Sequence, residues 1–145
     1  MTTAAVVYRS SSGTTRQLAE EIGEHLRAHG IDARVQSVGE AQPAALAEAD
    51  LVLLGCWTSG LFVVAQHPDE PWLAFVRDLP PLARSRVGLF TTYKLATGSM
   101  FARMRAALDT RAPHVDLELK SRGGHLTDGG RAALDRFAGI PAASA

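Results

Sequence analysis

The chain has 145 residues, 46% of them hydrophobic, with 15 Lys plus Arg against 15 Asp plus Glu and a formal net charge of zero. That is enough apolar material for one core, and it lacks the basic excess that nucleic acid or an anionic membrane surface demands. The single cysteine, Cys56, excludes an internal disulfide, an iron–sulfur cluster and any multi-cysteine metal site. The start Met1-Thr2-Thr3 lacks a secretory signal, and no apolar run approaches the ~20 residues of a bilayer span, so one cytoplasmic domain over 1–145 is expected.

Strand-length apolar runs alternate with helical segments along the whole chain. Residues 4–8 read as a buried strand, and 14–28 as a helix with Leu18, Ile22 and Leu26 at four-residue spacing and Gly30 placed for a C-terminal cap. Residues 33–38 alternate and carry Arg34 and Gln36, as an edge strand does. Pro43 opens a brief crossover at 44–48, and the continuous run 51–54 predicts a central strand covered on both faces. Residues 57–70 show no period and are expected as a long loop. Helices are then predicted at 72–77, 98–108 and 128–137, with strands at 86–91 and 115–119.

Five strands separated by crossovers predict an α/β fold with a parallel sheet covered by helices on both faces. Continuous apolarity in the first, third and fourth strands, against alternation in the second, gives the order 2-1-3-4-5. The switch point then lies between strands one and three, where ligands of such sheets bind at the carboxyl ends.

Two segments converge there. The run Ser10-Ser11-Ser12-Gly13-Thr14-Thr15 sits between strand one and the first helix, and five hydroxyls exceed what an N-cap and turn require. Hydroxyl donors, a glycine that lets the backbone approach and the free amides of a helix start together suit a phosphate. The lysine of a nucleoside triphosphate loop is missing and G-x-G-x-x-G does not occur. The second segment, after strand three, begins at Trp57.

With its following helix, residues 7–15 resemble the phosphate loop of flavodoxins, built on an S/T-x-S/T-G-x-T pattern. Leu53-Leu54-Gly55-Cys56-Trp57-Thr58-Ser59-Gly60 is similar to that family's third strand and first flavin-covering loop, and Val87-Gly88-Leu89-Phe90-Thr91-Thr92-Tyr93 to its fourth strand and second covering loop. The resemblance covers nearly the whole chain and matches the short-chain members. It implies a flavodoxin-like three-layer sandwich holding FMN without a covalent bond. Ser10, Ser11, Ser12, Gly13, Thr14 and Thr15 would surround the phosphate, and Trp57, Thr58, Ser59, Gly60 and Leu61 the flavin edge. The peptide after Gly60 would be able to flip toward the flavin N5 proton, and Thr91, Thr92 and Tyr93 would face the other side of the ring.

The implied function is an electron carrier between a reductase and an acceptor enzyme, monomeric or weakly dimeric, with no catalytic acid or base. The alternative is an FMN-dependent NAD(P)H or quinone reductase that uses the apolar run 61–65 as a substrate wall. Ser59 and Leu61 stand where the family often has an aromatic and an acidic residue. The chain is also neutral where flavodoxins are typically acidic; fewer carboxylates beside a flavin predict a less negative second reduction potential.

Other candidates carry less. Cys56 lacks the arginine six positions on that a cysteine phosphatase needs, since Phe62 stands there, and it reads as a buried thiol. His25 and His29 share a helix face without a third ligand and read as a solvated flank. Residues 67–70 read as a polar loop leading into the helix at Pro71.

Overall fold

β1 (Thr3–Arg9) lies between β2 (Asp32–Ser37) and β3 (Leu51–Trp57), and β3 pairs in turn with β6 (Arg86–Thr92), which pairs with β7 (Leu117–Ser121). All four pairings are parallel. The computed structural model describes residues 1–61 and 64–141, and of residues 60–65 only backbone is used. Counting the principal strands alone, the order is 2-1-3-4-5, as the alternation of apolar runs predicts.

Two cores flank this sheet because strand side chains alternate between faces. Val7, Val52, Leu54, Val87 and Leu89 meet α2 (Glu70–Arg77) and α3 (Met100–Leu108) through Trp72, Phe75, Val76, Met100 and Met104. Ala4, Val6, Leu53 and Phe90 meet α1 (Thr14–Ala28) and α4 (Asp128–Ala138) through Leu18, Ile22, Leu26, Leu134 and Phe137. Leu18, Ile22 and Leu26 are wholly buried, each contributing about 1.5–3 kcal/mol from burial, and their spacing holds α1 against the sheet. Residues 51–56 of β3 are buried throughout, whereas β2 is exposed in alternation at the sheet edge.

Gly55 has a packing reason. A Cβ there would stand 2.0 Å from the ring of Phe90, its cross-strand partner, so the fully buried phenyl occupies the space a side chain would need.

Four expectations are corrected. The supposed loop 57–70 contains an antiparallel hairpin, β4 (Ser59–Leu61) with β5 (Val64–His67), whose strands are too short to show a period. The last strand is displaced two residues onward from 115–119, and the third helix starts at Met100 rather than Gly98. His25 is no solvated flank: its Nε2 lies 2.6 Å from Asp135 of α4 and its ring packs beside His29. The crossover between β2 and β3 is a 3-10 turn, Pro43–Glu48.

Candidate functional site

The carboxyl ends of β1 and β3 diverge at the switch point and open a cavity of about 610 Å³, within the usual range for a small-molecule site, ~300–1,000 Å³. Ser11, Ser12 and Thr14 line one end of it, Trp57, Thr58 and Ser59 one wall, and Thr92, Tyr93, Lys94, Leu95 and Ala96 another; Gln66 and Arg122 complete the lining.

At the first end, α1 starts without a cap. Gly13 takes the left-handed conformation at φ 94°, no side chain accepts from the first turn, and that turn holds no acidic residue. The first backbone bond of the helix runs from Gln17 N–H to Gly13 C=O, which leaves the amides of Thr14, Thr15 and Arg16 without a hydrogen-bond partner among the described residues. Ser10 Oγ accepts from Gly13 N–H at 3.0 Å and shapes the loop, while Ser12 and Thr14 hydroxyls stand 3.2 Å apart. Free amides, the positive end of the helix dipole and paired hydroxyls form a receptor for a dianion. An FMN phosphate fits this donor set, with Ser11, Ser12 and Thr14 as the side chains that would hold it.

Two hydroxyls expected in the site turn away from it. Thr15 is completely buried and hydrogen-bonds Thr92 Oγ1 at 2.6 Å, because its position is three residues before Leu18 and four before Ala19 on the inner face of α1. Thr91 is likewise buried: its hydroxyl donates to Cys56 C=O at 2.6 Å, so the Thr58 hydroxyl, 2.8 Å away, donates to Thr91. Strand alternation places Thr91 with Val87 and Leu89 on the face covered by α2 and α3. Neither of these hydroxyls is left to bind a ligand. Ser10 and Gly13 shape the cradle without lining the cavity; Gly60 and Leu61, expected at the flavin edge, belong to β4, and their side chains lie outside the described residues.

The opposite end is organised by Asp69, which caps α2. Its carboxylate accepts from Trp57 Nε1 at 2.7 Å, Arg9 Nε at 2.8 Å and Trp72 N–H at 3.3 Å, and Cys56 Sγ lies 3.6 Å away. The indole at the cavity wall is thereby tied to the end of β1, next to the hydroxyl loop. Sequence reasoning passed over Asp69 as part of a polar loop, although Asp directly before Glu-Pro is an N-cap signal. Burial pushes the Cys56 thiol well above its ordinary range, as expected of a structural cysteine.

Gln66, Lys94, Leu95, Ala96 and Arg122 were also unforeseen. Lys94 to Ala96 simply continue the second covering segment beyond Tyr93. Arg122 follows β7, and Gln66 arrives through the unrecognised hairpin. Lys120 Nζ and the Arg122 guanidinium stand 5.8 and 5.6 Å from the centre of the Tyr93 ring.

Comparison with known proteins decides the family. The flavodoxin family model matches residues 6–111, which contain the hydroxyl cradle and both covering segments. The chain belongs to the flavodoxin family. It is 33% identical over 94 residues to the flavodoxin of Megasphaera elsdenii, an alignment covering 64% of this chain and 66% of that protein, just under two thirds of its length. In fold it is similar to a short-chain flavodoxin associated with a non-canonical PDU bacterial microcompartment, at TM-score 0.75 and 19% identity over 97% of this chain and 96% of the other. It is similar also to two-electron reduced Megasphaera elsdenii flavodoxin, at TM-score 0.74 and 20% identity over 94% and 98%. The cofactor of the family is FMN.

Proposed function

We propose that this flavodoxin, as a single domain, binds FMN and carries electrons one or two at a time between a reductase and an acceptor enzyme. The observation that carries the reading is the continuity of one cavity from an uncapped helix start ringed by Ser11, Ser12 and Thr14 to Trp57, Thr58 and Tyr93. A ligand with a phosphate at one end and a planar ring at the other matches that succession of surfaces. When bound, the flavin supplies the redox chemistry; the residues bind, orient and screen it.

The division of labour follows from the contacts. Ser11, Ser12, Thr14 and the free amides of α1 would hold the phosphate by hydrogen bonds. Trp57, held by Asp69, and Tyr93 form the walls of the ring end. The buried Thr15–Thr92 bond ties α1 to β6, and the partly buried Thr58–Thr91 bond ties the residue after β3 to β6, so the two ends keep a fixed separation.

The reductase alternative rests on residues 61–65 as a substrate wall; Phe62 and Val63 lie outside the described residues, and no described residue favours it. The reading extends to a cytoplasmic protein, monomeric or weakly dimeric. Among the described residues no helix is long and apolar enough to cross a membrane.

The test is the visible spectrum of the purified protein after incubation with FMN and desalting. Retained flavin bands, with almost no NADH or NADPH oxidation by the loaded protein alone, are expected of a carrier. A colourless protein refutes the cofactor assignment, and steady NAD(P)H turnover transfers the function to the reductase.

A further inference from the structure

In a chain of zero net charge, cations gather on the Tyr93 side of the cavity, at the mouth where its ring end meets solvent. Lys94 and Arg122 line the cavity, and Lys120 stands with Arg122 over Tyr93. All three side chains are exposed, and none has an ion-pair partner among the described residues.

The neighbouring carboxylates do not offset them. On the elements that build the site, Glu20 is paired with Arg16, Glu21 with His125, Asp69 with Arg9, Glu70 with Arg77 and Glu118 with Arg105; Glu24 of α1 and Glu40 after β2 have no ion pair among the described residues, but neither lines the cavity. Asp116 precedes β7 and therefore lies at the opposite end of the sheet. Loop 122–127 contains no carboxylate. Beside Lys94 is Leu95, 57% exposed; apart from Met1 it is the only large hydrophobic side chain so exposed among the described residues.

An exposed apolar side chain in the same lining as unpaired Lys94 and Arg122 has the composition of an interface centre with a charged rim. We propose that this mouth is the docking surface for a redox protein that presents carboxylates around its own redox group. The proposal rests on the electron-carrier reading for its purpose, since the mouth is where the ring end of the cavity meets solvent. The rim would act mainly on encounter rate and orientation, and Leu95 would be the apolar contact.

Two haem proteins of opposite charge serve as probes: ferric cytochrome b5, which is acidic, and ferric cytochrome c, which is basic. In stopped flow, FMN-loaded protein reduced with dithionite gives one electron to each haem iron, Fe(III) becoming Fe(II). The expected result is a rate with cytochrome b5 that falls about tenfold between roughly 20 and 500 mM salt, as screening predicts, and no such fall with cytochrome c. Lys120→Glu, outside the cavity lining, should slow cytochrome b5 several-fold while FMN affinity stays as in wild type. Lys94→Glu with Arg122→Glu should remove the preference for cytochrome b5.

Binding of immobilised cytochrome b5 at low salt, measured with and without FMN, reads the docking surface independently of the cofactor. If FMN is not retained but salt-sensitive binding persists and Lys120→Glu weakens it, the carrier reading fails and the surface stands. A preference for cytochrome c, equal salt slopes for both probes, or double-variant effects confined to FMN affinity would overturn the proposal.

Discussion

Replacing Asp69 tests whether one carboxylate organises the ring end of the site. Asp69→Ala removes the N-cap of α2, a loss of about 1 kcal/mol. It also leaves the Trp57 indole N–H, half-buried and 2.7 Å from the present acceptor, without a partner, at a cost of about 1–3 kcal/mol. The Arg9 pair adds little, about 0.5 kcal/mol, because the arginine side chain is 38% exposed and screened. The sum is about 2.5–4.5 kcal/mol. The indole uses one carboxylate oxygen and Trp72 N–H the other, so Asp69→Asn, whose NH2 cannot accept, keeps an acceptor for only one of the two and should cost about 1–2 kcal/mol, less than alanine. Urea denaturation of both variants followed by far-UV circular dichroism gives the difference directly from midpoints at constant slope. FMN affinity should fall with Asp69→Ala and return in part with Asp69→Asn, as far as its one oxygen stays on the indole. Equal destabilisation by the two, or an alanine variant within 1 kcal/mol of wild type, would refute the reasoning.

Gly55→Ala should destabilise by about 1–3 kcal/mol, since its Cβ would stand 2.0 Å from the immobile Phe90 ring; a thermal midpoint unchanged from wild type would contradict the packing. Cys56 should resist iodoacetamide in the native protein and react only on unfolding, because burial raises its pKa and protects it; mass spectrometry showing full native labelling within minutes would contradict this. Glu21 experiences burial, which raises its pKa, but hydrogen bonds from Leu126 N–H, His125 and Gln17 outweigh it and hold the carboxyl below its ordinary value of 4.5. A lowered native pKa gives stability that is present above 4.5 and lost as pH falls through the native value. Glu21→Gln should therefore flatten the stability-against-pH curve on that acidic side, and an unchanged curve would count against the network.

The strands that carry the fold were legible because burial on both faces forces continuous apolarity, as in residues 51–54, and the inner face of α1 announced itself through Leu18, Ile22 and Leu26. The hairpin was invisible: three- and four-residue strands are shorter than the window in which a period shows. At the site, residue type was easier to read than direction. The hydroxyl run marked the cradle, yet only the helical phase of α1 separates Thr14, which lines the cavity, from Thr15, which is buried in the core. Lys94, Lys120 and Arg122 escaped because their proximity is made by the β6–β7 register, which no local pattern encodes.

Gly124 bears on when the cradle is complete. It sits at φ +81° with its backbone so close to α1 that a Cβ would lie 2.8 Å from Thr14 C=O, and its N–H is held by Ser121 Oγ. Ser121 C=O in turn accepts from Tyr93 N–H, and His125 and Leu126 grip Glu21 on α1. The hydroxyls are all made within the first fifteen residues, but the wall behind them is made after residue 120. During synthesis the proposed receptor for the phosphate would therefore exist as a list of residues long before it exists as a surface, since its backing wall waits for β7 and the turn beyond it.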